Sequence, residues 1–194
     1  TGFFLDQREN RHLVRGLAAG RAVLNLFSYS GAFGVAALAG GAARVTHVDA
    51  SAAALALARE NHAANGQDPS RVETVAADAF EDLRARVARG ETWDVVVTDP
   101  PAFAKRTADV DRACRGYKDV NRLALKLLAP GGLLLACSCS GPVTADLFQK
   151  VLFAASLDAG VPARILEKRG AGPDHPVSID CPETEYLKAF LLAR

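Results

Sequence analysis

A chain of 194 residues that is 49% hydrophobic and 23% charged suits one globular domain with a real core and a ligand cleft, and it excludes the disordered and fibrous classes. The formal net charge of +1 is weak for gripping a phosphate backbone unaided, so a nucleic-acid substrate would draw on clustered arginines or on binding surface outside this sequence. No run approaches the roughly 18 apolar residues of a membrane span, and the N-terminus has no basic and apolar regions of signal-peptide type, so a cytoplasmic protein without a membrane partner is expected.

The predicted elements alternate along the chain. Helices are expected over 7–18, 31–40, 51–65, 78–89, 109–128 and 143–159, each preceded or opened by a residue of capping type. Strands are expected over 22–27, 43–48, 71–76, 93–98, 132–138, 163–169 and 185–193. Those at 22–27 (AVLNLF), 93–98 (WDVVVT) and 132–138 (GLLLACS) are nearly continuously apolar, as central parallel strands covered on both faces must be. The Gly- and Pro-rich connection 170–184 is too short for a crossover helix, so the last two strands are expected to pair antiparallel. The result is a doubly wound α/β sheet of seven strands with the last one reversed.

In such sheets ligands bind beyond the carboxyl ends of the strands. The first strand-to-helix turn, Asn25 to Phe33, has one glycine, Gly31, where a dinucleotide fingerprint wants three, which argues against NAD or FAD. Its helix amides from Gly31 onward still suit a small carboxylate. Asp49 at the end of the second strand can accept both hydroxyls of a ribose, and Asp78 at the end of the third can accept an exocyclic amine. Singly, each reads equally as a helix N-cap. Together with Asp99 after the fourth strand, they form the pattern for an adenosine ligand with an amino-acid tail, S-adenosylmethionine, with Phe27, Ser28, Ala50 and Ala79 as neighbouring contact positions.

Asp99-Pro100-Pro101 is a stiff, amide-poor turn suited to holding a flat ring, because proline fixes φ and donates no hydrogen bond. One strand further on stands Cys139. Carbon 5 of a pyrimidine is a poor nucleophile until a thiolate adds at carbon 6, which makes Cys139 the expected covalent nucleophile and Asp99 the group that hydrogen-bonds or protonates N3. Cys137, still within the apolar run, and Cys114 read as small hydrophobes. The four cysteines at 114, 137, 139 and 181 show no metal-ligand spacing, so no metal is expected.

The blocks from Gly2 to Arg8 (GFFLDQR), Leu26 to Gly31 (LFSYSG), Asp99 to Pro101, Arg115 to Asn121 (RGYKDVN), Ser138 to Ser140 and Asp174 to Val177 (DHPV), taken in order, resemble the catalytic domain of bacterial large-subunit ribosomal RNA 5-methylcytosine methyltransferases. The resemblance covers essentially the whole chain. It implies the Rossmann-like sheet of class I methyltransferases, attack of Cys139 on cytosine C6, base contact by Asp99, adenosine contact by Asp49 and Asp78, and ribosomal RNA as the substrate. It also implies an N-terminal PUA RNA-binding domain, in keeping with a chain that starts at Thr1 and has no methionine. Many such enzymes carry a second cysteine directly after the two prolines, where this chain has Ala102, so the base that removes the C5 proton is unassigned among His175, Tyr117, Lys118 and water. Arg8 is expected to fold over the cofactor's carboxylate, although a solvent-exposed helix position reads nearly as well. Competing readings are a guanine N7 or adenine amine methyltransferase, which needs no thiol, an inactive cofactor-binding RNA module, and a nicotinamide oxidoreductase. The oligomeric state, a homodimer included, is open.

Overall fold

The computed structural model describes residues 3–194, so Gly2 of the first matched block lies outside the described residues. Strands β1 (Ala22–Leu26), β2 (Arg44–Asp49), β3 (Val72–Ala76), β4 (Trp93–Thr98), β5 (Leu128–Ser138), β6 (Arg164–Arg169) and β7 (Lys188–Ala193) form one sheet in the order β3-β2-β1-β4-β5-β7-β6. The first five strands pair in parallel, and β7 lies antiparallel between β5 and β6. Helices α1 (Arg8–Leu17), α2 (Ala32–Ala39), α3 (Ala52–Ala64), α4 (Ala79–Ala88), α5 (Val110–Lys126) and α6 (Ala145–Ala159) cover the sheet.

Side chains that alternate along each strand feed two apolar layers. Val23, Val95, Val97, Leu135 and Cys137 point to the layer that α1 and α2 close with Val14, Phe33 and Leu38. Leu24, Leu26, Val96, Leu134 and Ala136 point to the other, closed by Leu83, Tyr117 and Phe148 of α4, α5 and α6. Each fully buried Leu or Val contributes about 1.5–3 kcal/mol relative to exposure, so the central strands are held from both sides.

Three boundaries differ from expectation in ways that shape the cleft. The N-terminal helix is preceded by a 3-10 turn over Leu5–Gln7, which directs Asp6 and Gln7 inward. β5 starts at Leu128 rather than at residue 132. The register passes from Trp93 paired with Leu128 to Val95 paired with Leu133, so the extra residues around Pro130 are taken up as an irregularity. The strand expected from 185 starts only at Lys188, after a 3-10 turn at Pro182–Thr184, and this leaves Tyr186 and Leu187 as loop residues.

A buried polar row crosses the layer between β1, β2 and α3. Asn25 Nδ2 lies 3.2 Å from His47 Nδ1, His47 Nε2 lies 2.8 Å from His62 Nε2, and His62 Nδ1 lies 2.5 Å from Gln67 Oε1. Burial, with His62 as a second cause, pushes His47 down to about 3, so its ring is neutral. Among the described residues no helix is long and apolar enough to cross a membrane.

Candidate active site

The carboxyl ends of β1 to β5 open on a cavity of about 710 Å³. Its two ends are built differently.

At one end, the turn from β1 to α2 carries two non-glycine residues in the left-handed region, Phe27 at φ 55° and Tyr29 at φ 46°. Such conformations cost about 1–2 kcal/mol each for a residue with a side chain. The surroundings hold them in place. Ser28 N donates to Val48 O at 3.1 Å, Tyr29 N to Asp49 Oδ2 at 2.8 Å, and Asn61 Nδ2 to Ser30 O at 2.8 Å. Gly31, at φ 75°, caps α2, and a Cβ there would lie 2.7 Å from that of Ala58, so position 31 needs glycine on both conformational and steric grounds. Ser28 Oγ is enclosed and has no hydrogen-bond partner among the described residues, although it lines the cavity.

Asp49 and Asp78 line the same end. Asp49 accepts from Tyr29 N through Oδ2 and from Ser51 N at 2.9 Å through Oδ1. Asp78 caps α4 through Oδ1 alone, accepting from Phe80 N and Glu81 N. The capping reading therefore holds for Asp78 only; α3 is capped by Ser51, whose side chain accepts from Ala54 N, and Asp49 instead ties together the turns after β1 and β2. Phe27, Ala50 and Ala79 also line it, whereas Gly31 lies behind its neighbours Ser30 and Ala32, which do.

At the other end stand Asp99, Pro100, Pro101 and Cys139. Asp99 opens to the cavity on one side and is enclosed by protein elsewhere. This enclosure pushes its carboxyl up to about 7, with nearby Asp6 adding to the rise while Gln7 and Arg11 oppose it. Gln7 Nε2 donates to Asp99 Oδ1 at 3.0 Å. The Cys139 thiol points at Pro100 O, 3.8 Å away, and is raised to about 11, first by burial and then by the charge of Asp99. Cys137 is fully buried in the α1/α2 layer and does not reach the cavity. Phe103, just past the prolines, packs against Tyr117 with ring centroids 4.7 Å apart and planes tilted by 41°, and Gly116 admits its ring, which a Cβ would meet at 3.2 Å.

Arg8 is not in the cavity. Its guanidinium pairs with Glu9 at 2.9 Å and with Asp174 at 3.1 Å, and the arginine that lines the cavity is Arg11, one helical turn on, whose Nη1 donates to Phe4 O at 2.7 Å. None of the three side chains considered for proton removal lines it either. Tyr117 is buried with its hydroxyl 2.8 Å from Ser140 Oγ, Lys118 pairs with Asp158, and His175 Nδ1 lies 3.4 Å from Asp174 Oδ1, outside the cavity lining. Residues that sequence reasoning did not single out do line it, namely Phe4, Asp6, Gln7 and Arg11 from the N-terminal segment and Tyr186 from the approach to β7, whose hydroxyl donates to Asp6 Oδ2 at 2.8 Å. The polar Asp6-Gln7 pair inside an otherwise apolar opening was the available signal. Among the described residues no cluster of side chains is arranged to hold a metal.

The sequence that builds this cleft and this seven-stranded sheet with a reversed β7 matches, over residues 1–191, the family described as S-adenosylmethionine-dependent methyltransferase. The chain belongs to that family. Among curated methyltransferases, "Ribosomal RNA large subunit methyltransferase I" of Serratia proteamaculans (strain 568) is 50% identical over 190 residues, 98% of this chain and 48% of the relative. The protein of the same name from Aeromonas salmonicida (strain A449) is 50% identical over 192 residues, 99% of this chain and 48% of the relative. The chain thus spans about half the length of the curated relatives it matches. The crystal structure of "SMU.776, a putative methyltransferase complexed with SAH" has 32% identity and a TM-score of 0.89, covering 100% of this chain and 50% of that one. A tRNA m1G37 methyltransferase of M. jannaschii, at 18% identity, TM-score 0.65, 99% of this chain and 50% of that one, shares the fold. In this family the donor is S-adenosylmethionine, and the lining has groups of the chemistry such a ligand needs: the buried hydroxyl of Ser28, unpartnered among the described residues, and the carboxylates of Asp49 and Asp78.

Proposed function

We propose that this domain methylates C5 of a cytosine in large-subunit ribosomal RNA, with Cys139 as covalent nucleophile and Asp99 as the acid at N3. The observation that carries the reading is the meeting, in one cavity, of a thiol at the end of β5 and a carboxyl at the end of β4 raised to about 7. S-Adenosylmethionine, when bound, supplies an electrophilic methyl group. In this reading Asp49 accepts the ribose hydroxyls and Asp78 the adenine amine, with Phe27, Ser28, Ala50 and Ala79 alongside and Arg11, rather than Arg8, near the carboxylate tail; their shared position in the cavity lining supports it.

Asp99 and Cys139 are electrostatically coupled. While Asp99 is ionised its charge opposes formation of the thiolate. A ring whose N3 takes a hydrogen bond from Asp99 requires the carboxyl protonated, which at about 7 costs little, and this removes that opposition. Addition of Cys139 Sγ at C6 then places negative charge on the C4–N3 side of the ring, where the Asp99 proton is waiting. The Pro100-Pro101 backbone offers no competing N–H to the ring.

The decisive experiment is trapping with RNA that contains 5-fluorocytosine, in which the missing C5 proton prevents release of the adduct. A covalent complex is expected with the parent and with Cys137→Ala and Cys114→Ala, but not with Cys139→Ala. An adduct that persists in Cys139→Ala and vanishes in Cys137→Ala would reverse the assignment. No adduct with any protein, alongside methylated RNA, would favour thiol-free nitrogen methylation of guanine or adenine.

A further inference from the structure

Lys188 is buried at 5% exposure and has no part in the steps above. It opens β7, and the register sets it opposite Ser138, the last residue of β5, so it lies beside the peptide that leads into Cys139. Its Nζ donates to Ser140 O at 2.7 Å and to Tyr186 O at 2.8 Å. Two carbonyls fix the ammonium in place, and among the described residues its third N–H has no acceptor. Among the described residues no carboxylate forms an ion pair with it; Asp6 is engaged by Tyr186 and Asp99 by Gln7. An interior ammonium without an anion is unfavourable, and buried charges are as a rule paired.

The groups whose charge bears on Cys139 are Asp99 at the end of β4, Asp6 from the N-terminal segment and Lys188 from β7, while Tyr117 of α5 and Tyr186 before β7 feel the thiol in turn. Glu185 acts on Lys188 from the preceding loop. In this set two members are carboxyls and Lys188 is the cation. We propose that Lys188 is the positioning counter-ion of Cys139: its buried ammonium, held by the carbonyls of Ser140 and Tyr186, stabilises the thiolate that adds to the ring. The step rests on the function proposed above. One proton leaves the lysine–cysteine pair to water, leaving ammonium and thiolate. The sulfur electron pair forms the Sγ–C6 bond, the C5–C6 π pair moves to C4–C5, and the C4–N3 π pair moves onto N3, which takes the proton of Asp99. Burial lowers Lys188 to about 8 and raises Cys139 to about 11, so their ionisations belong to the pair rather than to either residue.

The pair is tested without RNA or cofactor, by following iodoacetamide alkylation of Cys139 against pH with peptide mass spectrometry. The parent is compared with Lys188→Met and Lys188→Arg after thermal melts establish that each is folded. An opposite charge at close range favours the charged form by about one pH unit or more, so the midpoint in Lys188→Met should rise by about that much, with alkylation near pH 8 slowed about tenfold. Lys188→Arg should restore it, and exposed Cys181 should react equally in all three. A reciprocal measurement leaves Lys188 in place: by NMR of labelled lysine, its titration should move in Cys139→Ala. An unmoved midpoint in folded Lys188→Met, or an unmoved lysine titration in Cys139→Ala, overturns the pairing. Because alkylation involves no RNA, a shifted midpoint without a trapped adduct upholds the pair while removing the cytosine chemistry. A trapped adduct with an unmoved midpoint removes the pair alone.

Discussion

The two ends of the cavity solve different physical problems. At the β1–β3 end the polar work is done by backbone amides and by carboxylates that those amides hold, Asp49 through Tyr29 and Ser51 and Asp78 as the cap of α4, around a turn strained at Phe27 and Tyr29. At the β4–β7 end it is done by enclosed titratable side chains, with Asp99 up to about 7, Cys139 up to about 11 and Lys188 down to about 8. Rigid geometry suits holding a ligand, whereas displaced protonation equilibria suit reacting with one. If the division holds, substitutions at one end should change affinity and substitutions at the other should change rate.

The largest separation is expected at Asp99. Asp99→Asn should reduce methyl transfer by about 10²-fold or more, as loss of a positioned acid does, with SAH affinity nearly unchanged by calorimetry. The same variant should be more stable. The folded-state value lies above that of the unfolded chain, so above pH 7 the ionised carboxyl destabilises the fold. At pH 8 its removal should add about 1–3 kcal/mol, a rise in melting temperature of several degrees. A loss of SAH affinity equal to the loss of rate would erase the distinction between the two ends.

Gly31→Ala probes the other end. A Cβ 2.7 Å from Ala58 at φ 75° should cost about 1–3 kcal/mol in denaturant unfolding and weaken SAH, with no effect on the alkylation profile of Cys139. Asp49→Ala should weaken SAH about tenfold, since a hydrogen bond to a charged acceptor is worth about 1.5–3 kcal/mol. Unchanged affinity would leave Asp49 as a clamp on the backbone of Tyr29 and Ser51 only.

The smallest effect is one of pH. Because His47 is neutral in the fold and lowered to about 3, the unfolded chain binds more protons between pH 6.5 and about 3. Its contribution is complete above pH 6.5 and falls by about 1 kcal/mol per pH unit below it. Asp99 has the opposite slope between about 7 and its unfolded value, so the histidine slope should emerge most clearly in Asp99→Asn and flatten in Asp99→Asn combined with His47→Asn. Equal slopes in the two proteins would mean that the His47–His62 row carries no protonation penalty.

The rule that ligands meet the carboxyl ends of parallel strands was enough to bring Asp49, Asp78, Asp99 and Cys139 to one place, because each follows an apolar run whose end is visible in the sequence. Cys137 and Cys139 share a strand spacing, and burial separates them as the end of the apolar run suggests. What the sequence hid depends on chain segments that return from far away. Asp6, Gln7 and Arg11 reach Asp99 across more than eighty positions, and Tyr186 reaches Asp6 across 180. Arg8 and Arg11 differ by three residues on one helix, and only the docking of α1 decides which faces the cleft. Lys188 falls inside the strand expected over 185–193, where a lysine suggests an exposed position, and only the folded chain shows it buried at the entrance of β7.

The reversal of β7 also fixes where the molecule can be handled. A parallel strand presents its exit to the cleft, but β7 presents its entrance, at Lys188, and runs away from it. Arg194 N, hydrogen-bonded to Gly132 O, therefore lies about 20 Å along the strand from Lys188, at the opposite rim of the sheet. A fluorophore or surface tether joined at Arg194 should report on the molecule without entering the cleft, whereas even a small label at Glu185 or Tyr186 would stand in its doorway.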